Sequence, residues 1–213
     1  DITEQALSDC ARLKQEGALE PIDYGVVSTD GIPASLIDSE WVGLLTYSLV
    51  IGWQAEKFGE NGPQSWADFW NTEAYPGTRA MFKSVSHALE AALMADGVDP
   101  MDVNTILRSA GGVDRAFAKL QEIAPDITVW YRGGSQAAQL MADEEIDIIQ
   151  IGNGRAEALN ADSTKVGFTW NQGTTDADCL LVPKGAPNRE NAMLVINEIL
   201  SAETQARMAV AIS

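Results

Sequence analysis

Cations are scarce in this chain: 14 Lys and Arg stand against 31 Asp and Glu among 213 residues, a formal charge of −17. Such a surface repels phosphate backbones and argues against nucleic acid as a partner. One histidine, His87, and two cysteines, Cys10 and Cys179, supply no zinc site of ordinary type and no disulfide framework. Cys10 reads as a small buried core residue beside Leu7 and Leu13, and Cys179 falls in a predicted strand. A bridge between them stays open as an alternative, in an oxidising compartment. Long apolar runs are missing as well. Residues 41–53 make the longest, and Thr46, Ser48 and Gly52 interrupt it. That is too short to span a bilayer as a helix. Low-complexity tracts are absent, which argues against disorder. The chain opens on Asp1-Ile2 without an initiating Met or a signal segment, so we expect a processed product or a fragment.

What is present is globular. Hydrophobic residues reach 46%, enough for a core, and the length suits one large domain or two small ones. The acidic surplus serves solubility, or it attracts cationic small molecules.

Residue patterning predicts alternation of strands and helices. Thr3 can cap a helix ending at Gly17. Residues 41–53 read as extended, and Ser65 caps a short aromatic helix over 66–71. Strands are predicted at 79–83, 127–131, 146–151, 166–170 and 179–182. Helices are predicted at 86–96, 100–109, 113–124, 135–142, 155–160, 188–200 and 202–211. Phe117, Leu120 and Ile123 form an apolar stripe on one of them. The expected fold class is α/β, with a largely parallel sheet.

Three strand-to-helix junctions look alike. One runs through Ser84 to His87, one through Gly133, Gly134, Ser135 and Gln136, and one through Gly152 and Asn153. In a parallel sheet such loops gather at the carboxyl ends of the strands, where ligands bind. Helix starts there offer N–H groups and partial positive charge to a carboxylate or phosphate. His87 is read as a donor to an anion or as an ordinary capping-region residue. None of the loops matches a P-loop or a dinucleotide fingerprint. The segment 172–178 is opposite in character. It is read as an acidic connection between two strands that puts Asp176 and Asp178 on one side. The pair could bind an amine, do acid–base work, or be a solvated turn. Trp41, Trp53, Trp66 and Trp70 read as core.

Three segments carry a family resemblance: Ser65-Trp66-Ala67-Asp68-Phe69-Trp70 with Tyr75-Pro76-Gly77, the helix end and strand from Met141 to Asn153-Gly154, and Leu181-Val182-Pro183-Lys184-Gly185-Ala186-Pro187-Asn188. In this order and spacing the chain resembles spermidine/putrescine-type solute-binding proteins of ABC importers over nearly its whole length. The resemblance implies a two-lobed periplasmic-binding-protein fold of type II with crossing hinge strands and ligand held between the lobes. Lobe 1 would comprise 1–47 and 179–213, and would be incomplete because family members carry further elements at both ends. Lobe 2 would comprise 48–178. The implied partners are a small-molecule ligand, either a polyamine or a zwitterionic amine, and an ABC permease in the inner membrane. The implied location is the periplasm, and no cofactor is implied.

Asp178 matches the family Asp that holds an ammonium group. Asp176 stands where polyamine binders carry an aromatic, Gly152 where they carry a tryptophan, and Ser84 and His87 where they carry an acidic pair. Tyr47, on the outward crossing, joins the candidate set. A polyamine needs aromatic walls and terminal carboxylates. The departures therefore favour a ligand bearing both an anion and a cation, such as an amino-acid derivative. An enzyme on the same architecture is the competing class, but no nucleophile–base–orienter set is evident. A ligand-sensing ectodomain is a third reading.

Overall fold

The computed structural model describes residues 1–162 and 164–211. In chain order the elements are β1 (Thr3–Ala6), α1 (Leu7–Gln15), β2 (Trp41–Gln54), α2 (Ala55–Phe58), α3 (Trp66–Trp70), β3 (Arg79–Phe82), α4 (Val85–Ala95), α5 (Val103–Arg108) and α6 (Gly112–Ile123). They continue with β4 (Ile127–Tyr131), α7 (Gly134–Ala142), β5 (Ile148–Gly152), α8 (Asn153–Ala161), β6 (Val166–Leu181), α9 (Arg189–Ile199) and α10 (Ala202–Ala211). The chain divides into two compact units, Asp1–Tyr47 with Thr175–Ser213, and Ser48–Thr174. Strands β2 and β6 each contribute residues to both.

The strand order is β1-β6-β2-β5-β3-β4. The sheet is mixed, where a largely parallel one was expected. β3 runs parallel to β4 and β5, whereas β1 pairs with β6 and β2 with β5 in antiparallel fashion. The parallel part is the strand–helix succession visible in the sequence. The antiparallel part comes from the long strands β2 and β6 and from β1, whose pairing is non-local.

Two expectations at the chain's start and middle are corrected. Thr3 caps no helix; Thr3–Ala6 is a strand, and the helix begins at Leu7. Segment 172–178 is no connection between strands, because β6 continues unbroken from Val166 to Leu181. Its Gly, Thr and Asp content mimics a turn. Pairing with β1, from Thr3 opposite Leu181 to Ala6 opposite Asp178, overrides that composition. Gln172 takes a left-handed φ of 59° inside the strand. Its side-chain oxygen accepts from the Trp66 amide (2.8 Å) and its carbonyl from the Trp66 indole (2.9 Å), which holds the kink.

In the first unit the core comprises Ile22, Val27, Val42, Leu180, Val182 and Ile196. Beside it Leu19, Trp41 and Leu181 surround the two cysteines, which form a disulfide, Cα–Cα 6.8 Å. Cys10 is thus buried as expected, and the alternative left open for it is realised.

The second unit packs both faces of its sheet. Ile51, Trp66, Phe69, Met81, Leu93 and Ile148 fill one face, and Val50, Ala80, Tyr131, Met141, Ile149 and Ile151 the other. Trp41, Trp53 and Trp66 are buried, and Trp70 packs against the core. The α6 stripe holds only in part: Ile123 is buried, while Phe117 is 43% exposed. Steps of three residues fall short of a full turn, so by i+6 the stripe has rotated by about 120°.

Arg79 organises this unit. It is 1% exposed. Its guanidinium donates to the carbonyls of Phe69 (2.9 Å), Gly77 (2.8 Å), Tyr75 and Asn71 (3.4 Å), which ties the aromatic helix and the Tyr-Pro-Gly turn to β3. Burial pulls its pKa down, and the charges of Asp126 and Asp147 oppose that pull. Gly77 has a φ of +147°, and a Cβ there would lie 2.5 Å from Asp147 Oδ2. Ser65 Oγ accepts from the Asp68 amide at 3.1 Å, the cap expected for α3. Replacing Arg79 by Met would take this donor from the buried Phe69 carbonyl and from the part-buried Gly77 and Tyr75 carbonyls. We expect Arg79→Met to cost roughly 3–5 kcal/mol in chemical denaturation. Arg79→Lys should not restore the loss, since an ammonium cannot fork over several carbonyls.

Candidate functional site

The first unit holds the acidic half of the candidate residues. Strand alternation sets Asp176 and Asp178 half-buried on one side of β6, with Ala177 and Cys179 buried on the other. Ala6 lies opposite Asp178 in the ladder and Glu4 opposite Leu180, so Glu4 is a diagonal neighbour of Asp178 on the same face. Burial, most of all, pushes the Asp178 carboxyl up to about 6. The charges of Glu4 and Asp176 and a hydrogen bond with the Glu4 carboxyl add to the rise. Two carboxyls can share a hydrogen bond only with a proton between them. The Tyr47 phenol is also raised, by burial first and then by Asp178 and Asp176. Asp176 Oδ1 accepts from the Ala177 amide at 2.8 Å. Tyr47, Asp176 and Asp178 therefore sit together, and Glu4 joins them. Glu4 was not legible in the sequence, because only the β1–β6 pairing brings it there.

The second unit holds the glycine-rich half. β4, β3 and β5 are parallel neighbours, so their three following loops share one sheet edge. Helices α4, α7 and α8 start there. None has a side-chain cap bond, and none has an acidic residue in its first turn. At α7 the Gln136 amide donates to the Gly133 carbonyl at 3.0 Å. Ser84 is the N-cap of α4 and accepts from the Ala88 amide through its carbonyl at 3.2 Å. His87 is 4% exposed, with Nδ1 3.1 Å from Thr174 Oγ1. Its ring leans on Phe82, which stacks on Tyr131.

Gly133 is the N-cap of α7 in extended backbone, and a Cβ there would meet nothing within 4 Å. Gly134 and Ser135 follow, both exposed. A Cβ on Gly134 would lie 3.2 Å from Arg155 Nε. Gln136 Oε1 accepts from the Arg132 amide (3.1 Å), and Asn153 Oδ1 from the Ser48 amide (3.0 Å). Gly152 lies opposite Leu49 at the end of the β2–β5 ladder. Each junction also carries one exposed cation: Lys83, Arg132 and Arg155. Among the described residues these three form no ion pair. One cation per loop in a chain of −17 was a signal available in the sequence.

A family model for bacterial extracellular solute-binding proteins matches residues 1–213. The chain belongs to this family. The gamma-aminobutyric acid-binding protein of Pseudomonas aeruginosa is 34% identical over 209 residues, covering 96% of this chain and 58% of that protein. The spermidine/putrescine-binding periplasmic protein of Escherichia coli is 22% identical over 213 residues, covering 93% of this chain and 58% of its own length. Among solved structures, the periplasmic binding protein MotA of A. tumefaciens B6, in complex with glucopine, superposes with a TM-score of 0.91 at 35% identity, covering 96% of this chain and 64% of that one. The α/β fold is thus that of periplasmic binding proteins, and the chain spans about 58% of the length of the curated relatives it matches. No helix among the described residues is long and apolar enough to cross a membrane.

The raised Asp178 carboxyl has a consequence for stability. Its folded pKa of about 6 lies above the ordinary 3.8, so the folded chain binds the proton more tightly than the unfolded one. Stability therefore falls as pH climbs from about 4 to about 6, and the penalty persists above that range. Partial exposure softens the effect through solvent screening. Asp178→Asn should raise the thermal midpoint by about 2–4 °C at pH 7.5 and by nothing at pH 4. Scanning calorimetry at the two pH values checks this; equal midpoints at pH 7.5 would remove the repulsion from the account.

Proposed function

We propose that the chain is part of the solute-binding component of an ABC importer, exported to the bacterial periplasm. It captures a small amine-bearing metabolite of amino-acid type and presents it to a membrane permease. The observation that carries this reading is the half-buried Asp178, with Asp176 on the same strand, Glu4 on the paired strand β1 and the Tyr47 phenol within reach of both Asp charges. A carboxyl held partly out of water among like charges gains most from a cation placed against it. An ammonium group supplies that charge and displaces the shared proton.

The helix starts of the second unit, with donors and no first-turn acids, favour an anionic group. These donors suit the anionic group of a zwitterion and no part of a polyamine. Asp176 in place of an aromatic, Gly152 in place of a tryptophan, and Ser84 with His87 in place of an acidic pair weigh the same way. Ser84, His87, Gly133, Gly134, Ser135, Gln136 and Asn153 are the second unit's candidates for the ligand. A relative named for binding gamma-aminobutyric acid supports the amine-bearing class. Because the relatives are binding proteins, we assign the chain no covalent step.

The direct test is mass spectrometry of small molecules released when the purified chain is denatured, followed by calorimetric titration. An amino-acid-like amine should be released, and 4-aminobutyrate should bind more tightly than putrescine. Tight spermidine or putrescine binding without 4-aminobutyrate binding would overturn the assignment. Asp178→Ala should weaken amine binding on the order of a hundred-fold, since it deletes a charge-assisted contact. Wild-type affinity should also fall as pH drops below about 6, where Asp178 takes up its proton, and the variant should lose that dependence.

A further inference from the structure

Strand β6 lies between β1 and β2, and β1 pairs with it only from Asp178 to Leu181. On that side the stretch from Val166 to Trp170, in the second unit, has no strand beside it among the described residues. Side chains close the two ends of this edge. The Val166 amide donates to Asn160 Oδ1 at 2.8 Å, and the Asn160 side-chain amide donates to the Val166 carbonyl at 2.9 Å. Further on, the Trp66 indole donates to the Gln172 carbonyl. In a strand the backbone groups of alternate residues face the same edge. The N–H and C=O of Phe168 therefore point outward, as those of Val166 do. Neither has a hydrogen bond outside the sheet among the described residues.

A cavity of about 550 Å³ runs along the same edge, lined by Trp53, Glu60, Gln64, Lys165, Gly167 and Phe168 among others. Gly167 leaves the backbone bare there; a Cβ on it would lie 2.2 Å from Trp53 Nε1. Apolar surface continues beyond the cavity. Trp170 is 57% exposed, and its ring meets that of Phe168 edge-on at 5.8 Å. Charge around the cavity has one dominant sign. Glu56, Glu60 and Asp162 are exposed and form no ion pair among the described residues, against Lys165 alone, since Lys57 is paired with Asp147 at 2.9 Å. This place is distinct from the solute candidates. Trp53 pairs with Ile148 and Leu49 with Gly152, which sets the cavity and Gly152 roughly 13 Å apart along the β2–β5 ladder.

We propose that the β6 edge at Phe168 is a docking slot for an extended, basic segment of another protein, held by strand addition. The partner residue opposite Phe168 exchanges two backbone hydrogen bonds with it and lays an apolar side chain against Phe168 and Trp170. The next residues of the segment point to the other face, into the cavity, where a lysine or arginine meets Glu60. The closures at Val166 and Gln172 limit the segment to about five residues. A second copy of the chain is a poor occupant, because each copy carries −17.

The test follows the Phe168 backbone amide of the 15N-labelled chain by NMR, with the peptide acetyl-Lys-Val-Lys-Val-Lys-amide as probe. In the chain alone this amide should exchange readily with solvent, and at peptide saturation roughly ten-fold more slowly. The same peptide methylated at both valine nitrogens cannot donate to the edge, and one with glutamate for lysine has the wrong charge; each should bind roughly ten-fold more weakly. The exposed variants Glu60→Lys and Trp170→Ala should weaken the lysine peptide several-fold while circular dichroism and 4-aminobutyrate affinity stay unchanged. A Phe168 amide already protected in the monomeric chain overturns the slot, as does an amide that ignores the lysine peptide or equal binding of the methylated one. Protection that appears only with a dimer, seen by light scattering, assigns the edge to a second copy and overturns the proposed partner.

Discussion

The unbroken run of β6 is the constraint on which the first unit depends. A pleated strand sends alternate residues to opposite sides. With Cys179 bonded to Cys10 and Leu181 packed beside it, the buried side of the strand is set. The other side then has to carry Asp176 and Asp178, and the ladder with β1 adds Glu4 to the same face. Left to itself, such a group of carboxyls would turn toward water. The disulfide, the apolar cluster around it and the ladder hold Asp178 half-buried instead. Its raised pKa is the measure of that confinement.

The second unit has the opposite chemistry. Three parallel strands end at one edge, and each hands over to a helix whose first N–H groups have no side-chain cap. Arg79 is the strut beneath this arrangement. By donating to four carbonyls it ties the aromatic helix and the following turn to the start of β3. A buried guanidinium costs desolvation, and several backbone acceptors together offset it. The β6 face of the first unit thus offers acceptors and negative charge, and the strand ends of the second offer helix-start donors and the exposed cations Lys83, Arg132 and Arg155.

Much of this was legible in residue order. Ser65 before an aromatic cluster gave a capped short helix, as its side chain and the Asp68 amide bear out. β-branched and aromatic residues over 41–53 gave a long strand. Glycine and serine after three strands marked three helix starts. The misreadings share a cause. Thr3 and the stretch 172–178 have local preferences for a cap and a turn, yet both lie in β1 and β6, which pair across most of the chain. Cys10 and Cys179 are 169 residues apart, and spacing could not join them. Phe117 kept its helix and lost its burial, because a three-residue stripe drifts around the helix axis.

By itself the sequence determined the acidic balance, the succession of strands and helices, and the chemical type of each loop, since these follow from composition and from local periodicity. Tertiary structure alone decided that Glu4 stands beside Asp178, that the cysteines bond, and that His87 is enclosed against Thr174. The division has a physical origin. Periodicity and capping act over a few neighbouring residues, whereas ladder register, burial and the charge felt by a carboxyl are set by residues that only the folded chain brings near.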